Sequence, residues 1–301
     1  MNTTAVDAAH GLRRELGVFS VVLTQILYVV GGAWVGVAAT VGQGHVVLWL
    51  AAVLFFFLPL ALVVANLARL MPLEGGVYRW ADAAFGPFIG FLVAWNLWAY
   101  TVVVMATIGE ALASAVGYAL NGHGGFTTDN PTHVRIASFA AIAVAFVVVA
   151  LGLRIGKWVH GLGGTGNMLA FGALILVPLV ALGSGTLTHY HPLALVAPAA
   201  TLYSLNIFSK LAFGGFSGFE YIAIMAGECR DPARTIVRSV WISTPIIIAM
   251  FVFGTGSVVA LVPHDSIDLI APIPQTLRAG LGGTALAGNI ASAILVLFVA
   301  R

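Results

Sequence analysis

Charge is what this sequence has least of. Only 8% of its 301 residues are Asp, Glu, Lys or Arg, against 60% hydrophobic, and the mean hydropathy is +1.02. A soluble domain of this length needs a charged surface, so that class is excluded and the chain reads as an integral membrane protein. The formal net charge of +2 is too small to argue for nucleic acid as a partner. Cysteine is almost missing: Cys229 alone excludes an internal disulfide and any cysteine-based metal cluster. No run shows the alternation of a membrane β-barrel, whose strands are roughly 10 residues long, which leaves an all-α fold. No short apolar stretch with a small-residue cleavage site follows the polar start that carries Arg13 and Arg14, so the first span is expected to be retained. Also lacking is any intramembrane Ser/His pair, paired Asp or His/Glu cluster at usable spacing. An enzyme is therefore disfavoured, and no catalytic residue, cofactor or metal is expected.

What is present is a series of long apolar runs. With about 20 residues needed to cross roughly 30 Å of hydrocarbon, eight spans are expected. They cover residues 16–41, 46–68, 87–118, 134–151, 158–182, 200–226, 240–262 and 284–300. Basic residues set the orientation. With a cytoplasmic N-terminus, the inner segments hold Arg13, Arg14, Arg69, Arg79, Arg154, Lys157, Arg230, Arg234, Arg238 and Arg301, and the outer loops only Arg135 and Arg278. A multi-pass protein of the cell membrane, in contact with lipid, follows. His189-Tyr190-His191 in an outer loop is read as solvated, because two histidines lack a third metal ligand.

Two spans are interrupted. Leu211 to Glu220 reads Leu-Ala-Phe-Gly-Gly-Phe-Ser-Gly-Phe-Glu, and glycines and a carboxylate gain nothing inside a membrane helix. Its counterpart is Tyr28-Val29-Val30-Gly31-Gly32-Ala33 in the first span. Two interrupted helices, in the first and sixth spans, suit an inverted-repeat transporter that holds its substrate at the breaks. Freed amides at Gly31, Gly32 and Ala33 would receive a carboxylate, unless these small residues form a packing seam. Carbonyls released along Phe213, Gly214, Gly215, Phe216, Ser217 and Gly218 would accept an ammonium group, with Phe213, Phe216 or Phe219 supplying cation–π contact or a lid; for at least one of these, lipid contact is the simpler reading.

Glu220 either braces the unwound backbone or titrates as a proton carrier. Lys210 either pairs with Glu110 or snorkels at the outer mouth. Tyr28, Trp34, Asn96 and Ser217 are candidates for the pocket wall, whereas Asn66 and Asn206 suit helix packing.

Motifs between the spans carry a resemblance. Pro72-x-x-Gly75-Gly76-x-Tyr78 with Phe85-Gly86-Pro87-x-x-Gly90-Phe91, then Gly218-Phe219-Glu220 with Asp231-Pro232-x-x-Thr235-Ile236, occur in order. In that order and spacing the chain resembles the amino acid, polyamine and organocation (APC) permeases over nearly its whole length. The resemblance implies a LeuT-type inverted-repeat fold of ten core helices, often twelve in all, with substrate between broken helices one and six. One permease domain would fill 1–301, its first repeat at about 16–182 and an incomplete second at about 200–301, with the C-terminal helices apparently missing. The implied activity is secondary active transport of amino acids or related small amines by alternating access. A permease-like sensor or accessory protein is the alternative, and a membrane-embedded enzyme is the more remote one. Ala33 stands where the family usually has the last glycine of Gly-x-Gly. Some proton-coupled members carry a lysine in the fifth helix, a position that aligns with Asn167, so coupling to H+ or Na+ stays open.

Overall fold

The computed structural model describes residues 16–73, 75–121, 129–150 and 153–281. Within them the chain is helical, with no β-strand. The helices are α1 (Val18–Val29), α2 (Gly32–Ala39), α3 (His45–Ala52), α4 (Leu58–Leu70), α5 (Val77–Phe85), α6 (Pro87–Asn121), α7 (Pro131–Ala150), α8 (Leu153–Gly183), α9 (Leu202–Ser209), α10 (Pro232–Leu261) and α11 (Pro272–Gly280). Four stretches are long and apolar enough to cross a membrane: Gly42–Leu70, Pro87–Tyr118, Gly161–Gly183 and Pro232–Leu261. The bent pair α1 and α2 makes a fifth when taken as one span. The expected eighth span, 284–300, lies outside the described residues.

The first interruption sits one step earlier than the sequence suggests. α1 ends at Val29, Val30 and Gly31 are extended, and Gly32 and Ala33 already belong to α2, whose axis turns by 46°. Two β-branched residues followed by two glycines are poor helix formers, so the ladder is weakest there. The second interruption is longer. After α9 the backbone widens into a π-helix over Lys210–Gly215, reverses at Gly218 (φ 98°), and tightens into a 3-10 helix over Phe219–Glu228. Both departures from α geometry are associated with functional positions in helices.

α10 is the pillar of the bundle. It packs against α1, α2, α3, α4, α8 and the 3-10 segment. Around it lies an aromatic core in which Phe216 stacks on Phe57 (4.4 Å) and meets Trp49 and Phe251 edge-on (5.4 and 5.5 Å). Trp49 stacks on Phe251 at 4.4 Å, and its Nε1–H donates to Thr255 Oγ1 at 2.9 Å, satisfying the indole inside the apolar cluster. α6 by contrast is largely exposed and packs mainly against α5 and α7.

Both ends of the broken helices are tied down. At one end Leu16 N–H donates to the Glu228 carbonyl (3.0 Å) and Arg230 N–H to the Leu16 carbonyl (3.2 Å), joining the start of α1 to the end of the 3-10 segment. At the other end Thr40, just past α2, is held by Tyr203 Oη–H donating to its Oγ1 and by His264 Nε2 on its carbonyl, both at 2.8 Å. There the buried face of α11 packs on α2, α8 and α10, and Tyr118 Oη–H donates to Asp268 Oδ2 at 2.9 Å.

Candidate site where two helix breaks meet

The two interruptions are brought together, and small residues are what allow it. A Cβ added at Gly214 would lie 2.3 Å from Trp34 Cη2, and one at Gly218 would lie 3.1 Å from the Tyr28 carbonyl oxygen. Span one and span six therefore touch through the indole of one break and the bare backbone of the other. Gly218 is required twice, by that approach and by its left-handed backbone.

At the first break the amides starting α2 have no side-chain cap, and the residue before them, Gly31, is extended. Uncapped amides at a helix start carry the positive end of the helix dipole and suit a carboxylate. Gly32 is buried, Gly31 half-buried and Ala33 exposed. On the other side of the break, Asn167 from α8 is fully buried and its Nδ2 donates to the Val30 carbonyl (3.0 Å) and, at 3.5 Å, toward the Ile26 carbonyl. The residue singled out by resemblance thus braces the end of α1 with a neutral donor, while its Oδ1 has no hydrogen-bond partner.

At the second break Glu220 accepts a hydrogen bond from Gly218 N–H at 3.2 Å, closing the reversed turn on its own side chain. Tyr28 Oη–H points to Met225 Sδ (3.7 Å), and its ring meets Tyr221 edge-on at 6.5 Å, with Tyr100 on the far side of Tyr221 at 6.2 Å. Ser217 is half-buried and directly precedes Gly218 in the chain. Tyr28, Ser217, Gly218, Glu220 and Tyr221 accordingly form one polar cluster beside the break.

The phenylalanines divide. Phe216 and Phe219 are fully buried in the aromatic core, Phe219 edge-on to Phe57 at 4.9 Å, so their rings pack the break against Phe57, Trp49 of α3 and Phe251 of α10. Phe213 is 66% exposed and touches Phe56 at 4.9 Å, the disposition of a lipid-facing ring. Gly215 is buried against Trp49. Lys210 and Glu110 are both exposed, and among the described residues no ion pair joins them. Asn96 and Asn66 donate to carbonyls of their own helices, at Leu92 (2.8 Å) and Leu62 (2.9 Å), and are exposed, as is Asn206.

Sequence reasoning passed over Gln25. It is fully buried one turn before the break, accepts from Ser243 Oγ of α10 at 3.0 Å, and its Nε2 has no partner. Its signal was available as a lone amide in an apolar run, since polar groups inside membrane helices usually face a partner or a cavity.

Comparison with known proteins places this chain in a family. Residues 15–300 match the model described as amino acid permease. An uncharacterized transporter of Legionella pneumophila is 28% identical over 86% of this chain and 55% of its own length. The glutamate/serine transporter AimA of Bacillus subtilis is 24% identical over 82% of this chain and 48% of its own. A polyamine transporter of Oryza sativa is 22% identical over 77% and 43%. The chain spans about half the length of these curated relatives. They are transporters and permeases, not enzymes, and with its apolar helices and a match along nearly its entire length, this chain belongs to the amino acid permease family.

Proposed function

We propose that this chain forms the substrate-holding part of a secondary transporter for amino acids or related small amines. The observation that carries the reading is the meeting of the two breaks, with Gly214 under Trp34 and Gly218 under the Tyr28 carbonyl. A substrate carboxylate is placed on the uncapped start of α2 and its ammonium on carbonyls of the widened segment Lys210–Gly215. Glutamate, serine and polyamines, named for two of the relatives, set the range of substrates to try. The fold is proposed to be of LeuT type with a cytoplasmic N-terminus. Alternating access then consists of opening the Leu16–Glu228 tie and the Thr40–His264 tie in turn. Asn167 holds the end of α1 without a titrating proton, so proton coupling through the fifth span is not part of this proposal.

The test is equilibrium binding of radiolabelled glutamate, serine, branched-chain amino acids and spermidine to the purified chain in detergent. Saturable binding of at least one is expected, weakened about tenfold or more in Gly32→Val while the variant elutes as a folded monodisperse species. Unchanged affinity in Gly32→Val would place the ligand elsewhere, and absence of binding by every compound would sink the transporter reading.

A further inference from the structure

A second cavity lies away from the helix breaks, at the Thr40 end of the bundle. It has a volume of about 250 Å³, and its polar wall is Gln43, His45, His189, Tyr190 and His191, set against an apolar floor from α10. His45 at the start of α3 lines the same cavity as the His189-Tyr190-His191 segment of the loop after α8.

Three observations define what this cavity would take. His45 is 3% exposed, and its Nδ1 has no hydrogen-bond partner although it lines the cavity. A buried polar atom left unpaired is costly, so a ligand that satisfies it is favoured. Gln43 and His45 also belong to the first turn of the continuous helical run Gly42–Leu70, so the positive end of that helix dipole is at the wall. Finally, no Asp, Glu, Lys or Arg lines the space, and among the described residues no three His, Cys, Asp or Glu side chains converge closely enough to hold a metal ion. The wall supplies imidazole, amide and phenol donors and a helix start, with no carboxylate to repel a negative charge.

We infer that this cavity is a second ligand site that binds a small oxyanion, a carboxylate or phosphate, held by His45, His189, His191 and Gln43. The charged groups on elements packed against α3 do not oppose this. α9 carries none, Lys210 of the π segment is exposed, and Arg234 and Arg238 sit in the first turns of α10, far along that helix from Gly256 at the cavity.

The experiment is equilibrium dialysis of radiolabelled inorganic phosphate against the purified chain, with chloride at matched ionic strength as control. It compares the parent with the double variant His189→Ala, His191→Ala, whose positions are exposed and whose loss should leave the fold intact. Expected is saturable phosphate binding by the parent, at least about tenfold weaker in the double variant. Competition with short-chain phosphatidylglycerol separates sources: displacement identifies a lipid headgroup as occupant, and its failure a free oxyanion. Equal binding by parent and double variant, no saturable phosphate binding, or saturation by zinc alone would each overturn the site. None of these readouts depends on transport.

Discussion

Glu220 shows how a residue that is expensive in a membrane is made tolerable by its neighbours. Its carboxylate accepts from Gly218 N–H in the reversed turn, so it does work that any acceptor oxygen of the same reach could do. Glu220→Gln keeps such an oxygen, and Glu220→Ala does not. The bracing role therefore predicts that Glu220→Gln retains substrate binding within a few-fold, whereas Glu220→Ala loses stability by about 1.5–3 kcal/mol, the usual worth of a hydrogen bond to a charged group. Thermal unfolding in detergent with binding alongside separates this from a proton-carrier role, under which Glu220→Gln would flatten a pH-dependent uptake profile while staying folded. Gly218→Ala should cost about 1–2 kcal/mol from its left-handed backbone alone. A near-silent Gly218→Ala would mean that the turn is not held as described. Of these residues Glu220 was legible in the sequence because a carboxylate in an apolar run demands an explanation. What it touches was not, since the hydrogen bond depends on a turn whose handedness no periodicity announces.

At the scale of elements, the connection between α10 and α11 latches onto the end of α2. His264 binds the Thr40 carbonyl and sits 3.3 Å from Asp265, and both contacts raise its pKa above the ordinary histidine value although the side chain is exposed. With a folded pKa above the unfolded one, the protonated latch contributes fully below the ordinary value near 6.5 and is lost as pH rises through the raised value. Acidification from about pH 8 to about pH 6 should therefore tighten this end of the bundle. Hydrogen exchange of the Thr40 region should slow over that window in the parent and stay level in His264→Gln, which keeps a donor but does not titrate. Equal pH dependence in both would remove His264 as the cause. The histidine was visible in the sequence as an outer-loop residue. Its partner lies 224 residues earlier in the chain, and nothing local connects them.

For the whole molecule, orientation rests on the distribution of basic residues. Cys229, the one native thiol, is a poor reporter of it. It is fully buried in the tie between Leu16 and the 3-10 segment, and burial and the neighbouring Glu228 push its pKa up to about 11. Because the thiolate is the reactive form, Cys229 should resist maleimide from either side of the membrane while the protein is folded. Arg230 beside it is exposed, so Arg230→Cys in a Cys229→Ala background is the better probe. A membrane-impermeant maleimide should leave it unmodified in intact cells and label it after the membrane is opened. Labelling from outside would invert the topology.

Composition by itself determined that this is an all-α membrane protein, because so few charges and such long apolar runs cannot be arranged otherwise. The positions of weak helix were also determined locally, since glycines at 31, 32, 214, 215 and 218 lower helix stability wherever the chain goes. Tertiary structure decided how each break is used. It placed the first break one step earlier in the chain, at Val30 and Gly31, where Asn167 takes the Val30 carbonyl, and it put Phe216 and Phe219 into the core while leaving Phe213 outside. It also brought His45 to His189 and His191. Helix propensity is a property of a few neighbouring residues, whereas the partner of a freed carbonyl or a buried imidazole is chosen by packing between segments more than a hundred residues apart.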